Sequence, residues 1–171
     1  MRAFRIKINS WTSSFRYPNI ISGFQPTLEV PPISTVMGLI NSASGKYLEN
    51  CEIELAYYFD FKIKTIDLET IYQIKANDKN FPENTVKPNV IQREFLYDCR
   101  LFLYLANEKL LSAFYNPFFP LLLGRSGDLA SIESIKEVEL QEINNARIGG
   151  QVIPFNGNYL PGQIQALPKY F

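Results

Sequence analysis

Two long runs of strict apolar–polar alternation constrain this chain more than any other feature. In the first, Ile53, Leu55, Tyr57, Phe59, Phe61 and Ile63 alternate with Glu54, Ala56, Tyr58, Asp60, Lys62 and Lys64, and Leu68, Thr70, Tyr72 and Ile74 continue the pattern. In the second, Ile91, Arg93, Phe95, Tyr97, Cys99, Leu101, Leu103 and Leu105 repeat it. A period of two is that of a β-strand with one face buried. Between the runs, ANDKNFPENTVKPNV (76–90) is polar and carries two prolines, so it reads as the loop at the tip of an arm. Strands this long around a polar tip imply a hairpin that projects beyond a small core.

The remaining pattern supplies the rest of that core. Phe4, Ile6 and Ile8 alternate with Arg5 and Lys7, giving a strand whose second face is basic. The segment from Asn9 to Gln25 reads as a loop with aromatics set into it. Val36, Leu39, Ile40 and Ala43 recur at i, i+3, i+4, i+7, which predicts a short amphipathic helix ending at Gly45. A second short helix is expected from Asn107 to Phe114 and a strand from Ile135 to Leu140. The tail beyond Gly149 is punctuated by glycine and proline, with Val152, Ile153, Phe155, Leu160, Ile164 and Leu167 as apolar anchors. The order strand, helix, strands, helix, strand predicts an α+β chain with a mainly antiparallel sheet. A ferredoxin-like βαββαβ core with the hairpin inserted fits, and a small barrel is the alternative.

Composition narrows the chemistry. The 171 residues are 46% apolar with no histidine, which removes the commonest general acid–base group and most zinc sites. Any catalysis would fall to Tyr, Lys, Arg or carboxylates, and Lys62 and Lys64 share one strand face without marking a catalytic pair. Cys51 and Cys99 lack metal-type spacing and read as buried free thiols. No cofactor or metal is expected. The start, MRAFRIKINS, lacks the apolar block of a signal peptide, and no apolar run reaches the ~20 residues of a membrane span, so a cytoplasmic protein without membrane contact is expected. Net charge is zero but uneven: Arg2, Arg5, Lys7 and Arg16 precede the first acid, Glu29, while Asp128, Glu133, Glu137, Glu139 and Glu142 crowd a later stretch.

Several groups could meet a single-stranded RNA, each with a purely structural alternative. In PTLEVPPISTVMGLINSASG (26–45), Ser34 and Thr35 stand at the helix start, where they can cap N–H groups or leave them to a phosphate. Upstream, Trp11 and Phe15 could stack on bases or anchor their loop, with Ser13, Ser14 and Arg16 offering hydroxyls and charge. Gly124, Arg125 and Ser126, in GRSGD, put an arginine where backbone can approach a phosphate closely, or where Asp128 can pair with it. The loop lacks the spacing of a nucleotide-binding P-loop. Arg93 either faces RNA or joins a cross-strand ion pair.

FRIKINSWTSSFRYP, PTLEVPPISTVMGLINSASG, QREFLYDCRLFLYL and NPFFPLLLGRSGDLASI occur in an order and spacing that resemble the fifth Cas family, the small RAMP-superfamily subunits of CRISPR Cascade complexes, and most of all the type I-B kind. The paired PPxSTxxGL and LGRSGDLA segments carry this resemblance. It implies a single RRM-type ferredoxin-like domain over 1–171 with a thumb hairpin at about 57–96. It further implies a non-catalytic role: gripping the 5′ handle of the CRISPR RNA, capping the filament of backbone subunits, and touching the large subunit, with target DNA as a further neighbour. Trp11, Ser13, Ser14, Phe15, Arg16, Ser34, Thr35, Arg93, Gly124, Arg125 and Ser126 form the expected RNA surface, Ser34 and Thr35 converging with Arg125. One branch, type I-C, cuts precursor RNA with a histidine that this chain lacks. A metal-independent endoribonuclease is the second reading, and a structural adaptor without RNA contact the third.

Overall fold

A computed structural model describes residues 1–20, 23–48, 53–155, 157 and 161–167, with backbone alone at 84–86. Cys51 and Leu160 lie outside the described residues. The elements follow as β1 (Arg2–Ser13), β2 (Phe15–Arg16), β3 (Thr27–Leu28), α1 (Ile33–Ser44), β4 (Leu55–Asp60), β5 (Ile63–Ala76), β6 (Pro82–Leu105), α2 (Glu108–Tyr115) and β7 (Ala130–Glu139). The sheet order is β4-β6-β1-β7, antiparallel throughout, with β5 also on β6. This is the ferredoxin-like arrangement: each βαβ unit is split by a strand between its two members. The fold is α+β, and the barrel alternative is excluded by the open order.

One face of the sheet is the core. Ile6, Ile8, Leu101, Leu103 and Leu105 are fully buried beneath α1 and α2, joined by Val36, Leu39, Ile40 and Ala43 on the expected helix stripe. Gly45 ends α1 in the left-handed conformation at φ 67°, where its N–H reaches the Asn41 carbonyl at 2.9 Å. A side chain there would strike the Phe118 ring, since a Cβ would lie 2.5 Å from it. Helix α2 is capped as its sequence suggests, the Asn107 side chain accepting from the Lys109 N–H at 2.9 Å.

Several boundaries differ from expectation, each for a visible reason. The run from Ile53 to Lys64 is broken at Phe61-Lys62. Asp98, opposite, adopts φ 55°, and buried Leu96 and Cys99 stand three apart, so the strand pair kinks as it leaves the core. Register survives the kink, with Asp60 opposite Arg100 and Ile63 opposite Tyr97. The polar stretch 76–90 is mostly strand: the turn occupies Asn77 to Asn80 and β6 begins at Pro82. Proline is tolerated there because the register from Tyr97 to Val86 is regular. The Gln92 carbonyl and Glu94 N–H both point away from β5, to Gln25. Pro88 shares their parity, so its missing N–H costs no ladder bond.

β7 starts five residues earlier than expected. A bulge opposite Lys7/Ile8 leaves Ile132 and Ile135 both against the core, which disguises the alternation. The segment 9–25 is less a loop than expected, since β1 runs to Ser13 and β2 pairs with β3. In the tail, Val152 and Leu167 pack on the core, whereas Ile153, Phe155 and Ile164 are exposed.

Candidate nucleic-acid interface

The end of β1 gathers most of the expected site residues. The alternation of β1 continues through buried Ser10 and exposed Trp11 and then breaks, Ser13, Ser14 and Phe15 being buried in succession. Trp11 is 76% exposed, its ring 6.1 Å from the Tyr97 ring and tilted by 48°. An indole so exposed at the end of a central strand is not a loop anchor. Phe15 took the opposite course. It is 2% exposed and packs edge-on against Phe59 at 5.4 Å, so it belongs to the core and offers no stacking face. The loop hydroxyls also turn inward: Ser14 Oγ donates to the Glu94 carbonyl at 2.8 Å, and Ser13 lies buried beside the Cys99 thiol. Burial pushes that thiol up to about 11, with the Ser13 contact opposing the shift.

GRSGD folds onto the same strand end. The Leu123 N–H meets the Asp128 carbonyl at 2.9 Å and the Asp128 N–H meets the Arg125 carbonyl at 3.0 Å, closing a tight turn. Gly124, at φ +121°, lies so near Ser14 that a Cβ would stand 2.7 Å from its carbonyl oxygen. Only glycine fits both the backbone angle and the space. Asp128, 1% exposed, accepts from Thr12 Oγ1 at 2.6 Å, from the Arg125 N–H at 2.9 Å, and from Arg125 Nε and Nη2 at 3.1 and 3.0 Å. Those hydrogen bonds hold the Arg125 guanidinium above its ordinary pKa, 5.8 Å from the Phe95 ring centre. Arg125 is therefore preset in position but already partnered. Ser126 is exposed at the tip of the loop.

Other expected residues fall elsewhere. Arg93 is 5% exposed and ion-paired with Glu69 on β5, the cross-strand outcome. Gln25 bridges to it in parallel fashion, tying the loop before β3 to the base of the ribbon. Arg16 is exposed on β2. Ser34 and Thr35 do not cap α1. The N-cap is Pro32, without a side-chain bond, and both prolines are buried. Tyr57 Oη donates to the Pro31 carbonyl at 2.7 Å, and burial pushes that phenol well up. Ser34 is 3% exposed, and no hydrogen bond, ion pair or ring contact among the described residues joins it or Thr35 to Arg125. The diproline packs the helix start against β4. A cleft of about 1140 Å³ lies beside it, lined by Tyr17, Ile33, Lys64, Glu94, Val152 and Leu167. Lys64 there is held by Glu29 at 2.8 Å.

Of the sheet face turned away from the helices, the sequence reading noted only the basic row on β1. Lys136, Arg5, Tyr104 and Ala56 form one row across all four strands, and Ser134, Lys7, Phe102 and Tyr58 the next. Asn9, Arg100 and Asp60 form a third. The signal lay in the sequence: Arg100, Phe102 and Tyr104 alternate with buried leucines just as Arg5 and Lys7 alternate with Phe4, Ile6 and Ile8. Lys7 and Asn9 both meet Glu133, at 2.7 and 2.6 Å, holding its carboxyl below its usual range.

No family model matches the chain, and no curated protein matches it. Among solved structures it is similar to a chain of a CRISPR RNA-guided surveillance complex, at 16% identity over 74% of this chain and 59% of that one, with a TM-score of 0.55. It is also similar to a chain of a type III-B Cmr-beta complex bound to cognate target RNA, at 15% identity over 81% and 61%, with a TM-score of 0.50. The chain thus spans about three fifths of the length of each. At such identity the likeness is one of fold, and it places this sheet and its helices with the ferredoxin-like folds found in CRISPR-associated complexes.

Proposed function

We propose that this chain is a guide-RNA-binding subunit of a type I CRISPR effector, of the I-B kind. It would grip the 5′ handle, cap the backbone filament and meet the large subunit. The observation that carries the reading is the exposed Trp11 indole beside the glycine-flanked Arg125 loop, on a fold shared with a chain of a CRISPR RNA-guided surveillance complex. An aromatic face beside a preset guanidinium suits an extended ribonucleotide, the base stacking and the phosphate drawn to the cation. Ser126 stands exposed at the tip of the same loop, and Arg16 is an exposed cation on β2. Zero net charge is compatible with it, because neighbouring subunits would share the RNA and affinity would accumulate by multivalency.

The test is assembly with partner subunits and a guide carrying 4-thiouridine in its handle. Crosslinks to this subunit are expected, and Trp11→Ala combined with Arg125→Ala should lower guide retention at least tenfold. Crosslinks confined to other subunits would overturn the reading in favour of an adaptor. The subunit is proposed to be non-catalytic: labelled repeat RNA incubated with the pure protein and EDTA should stay intact, and cleavage products would establish the endoribonuclease reading instead.

A further inference from the structure

β7 stands at the rim of the sheet, one flank on β1 and the other open. The Met1 ammonium donates to the Leu140 carbonyl at 2.7 Å and the Leu140 N–H to the Met1 carbonyl at 2.8 Å, so these two residues form a hydrogen-bonded pair. Bonded and non-bonded pairs alternate along an antiparallel ladder. Ala3–Val138 and Arg5–Lys136 are therefore bonded, and the N–H and C=O groups of Ile135, Glu137 and Glu139 point away from β1. The opposite rim, β4, is covered where the Phe59 N–H meets the Gly150 carbonyl at 2.8 Å. On β7 the Leu121 carbonyl takes the Ala130 N–H at 2.9 Å, but among the described residues no hydrogen bond reaches the outward groups of Ile135, Glu137 or Glu139. An apolar groove of about 670 Å³ lies along residues 130–135 of this edge, lined by Phe114, Tyr115, Phe118, Phe119, Ile132 and Ile135. Its wall holds large rings in solvent: Tyr115 and Phe118 are 70% exposed and Phe119 is 52% exposed.

We infer that β7 is a docking edge for an extended segment of another protein, which adds antiparallel to residues 135–139 and sets apolar side chains into the groove. Unpaired N–H and C=O groups at every second residue match another extended backbone and nothing else. A side chain opposite Ile135 falls on the groove side, and those opposite Glu137 and Glu139 follow on the same face. Glu137 is ion-paired with Arg2, whereas Glu139 has no cation among the described residues, so a basic side chain suits that end. The acids reject a phosphate backbone. They also reject a second copy of the chain. An antiparallel self-pairing that joins all three outward residues sets Glu137 against Glu137. Shifting it by one pair either way sets Glu137 against Glu139 or Lys136 against Lys136, and like charges directly opposite destabilise a strand pair. The charges thus keep the edge from self-assembly while admitting a strand that is apolar at one end and basic at the other. The inference rests on this edge alone and not on the RNA reading.

The probe is a fluorescein-labelled eight-residue peptide with lysine, glutamine, isoleucine and isoleucine at alternate positions and threonine between them, titrated against the full chain by fluorescence anisotropy. Saturable binding is expected. N-methylating the peptide on the N–H groups that face β7 should weaken it at least about tenfold, and glutamate in place of its lysine about threefold. Glu137→Pro removes an outward N–H and no bond to β1, so it should hold the melting temperature within a few degrees and lower affinity at least about tenfold. Glu137→Gln, the control for charge, should stay within about threefold of the wild type. Phe119→Ala, which strips the groove wall, should weaken binding about fivefold. Hydrogen exchange on the wild type reads the ladder without any variant: peptide should slow the amides of Ile135, Glu137 and Glu139 and leave that of Lys136, already bonded to β1, unchanged. No saturable binding, equal affinity for the N-methylated peptide, or outward amides that do not slow would overturn the inference. Self-association of the chain that Glu137→Pro abolishes would overturn it in favour of a second copy. Protection of the same amides by oligouridylate in place of peptide would overturn it in favour of nucleic acid.

Discussion

Replacing Asp128 with alanine removes the group that ties β1 to the Gly124–Asp128 turn. Its carboxylate, 1% exposed, accepts from Thr12 on β1 and from three nitrogens of Arg125, all between 2.6 and 3.1 Å. Losing one member of a buried, hydrogen-bonded ion pair costs about 3–5 kcal/mol. The Arg125 side chain is 24% exposed and can partly rehydrate, which puts the expectation at the lower end, about 3 kcal/mol. For 171 residues, an unfolding entropy of about 2.1 cal/mol/K per residue converts that into a fall of about 8 °C in melting temperature. Thermal unfolding followed by circular dichroism measures it, and urea titration gives the free energy independently. Arg125→Ala alone leaves the 1% exposed Asp128 carboxylate without its cation, held only by Thr12 and the backbone N–H of residue 125, so it should cost at least as much. The double variant should be less destabilised than the sum of the singles by about 1–2 kcal/mol. A loss below 1 kcal/mol for Asp128→Ala, or simple additivity in the cycle, would refute the view that Asp128 organises this edge.

Tyr57→Phe deletes the 2.7 Å bond to the Pro31 carbonyl and leaves that buried acceptor unmet, so a loss of about 1–3 kcal/mol is expected in urea denaturation. Glu133 adds a pH dependence of definite sign. Its folded pKa is depressed by hydrogen bonds from Lys7 and Asn9, so its contribution to stability is present above the unfolded value of 4.5 and is lost as pH falls through the folded one. Melting temperatures from pH 7 to pH 3 should therefore fall less steeply for Glu133→Gln than for the wild type.

Much of the candidate edge was legible before any coordinates. The Gly124–Arg125 turn follows from its glycines, and either partner for Arg125 was open; Asp128 took it because the turn folds back on itself within four residues. The helix stripe from Val36 to Ala43 and its stop at Gly45 followed from spacing alone. What misled was local plausibility. Ser34 and Thr35 look like caps in a list of residues, yet the helix begins one step earlier, at Ile33, and Pro32 occupies the cap. Phe15 and Trp11 look alike in sequence, both aromatic and both preceded by serine. Only the break in alternation between them, where Ser13, Ser14 and Phe15 are buried in succession, leaves one in solvent and puts the other beneath Phe59.

Periodicity by itself determined the strands, the helices and the basic lining of β1, because side-chain direction within an element is a local property of the backbone. Tertiary structure alone decided which rows meet. The pairing of Arg5 with Lys136 spans 131 positions, and that of Arg5 with Tyr104 spans 99. Neither can be read along the chain, since register between distant strands is set by how the whole apolar face closes over the core.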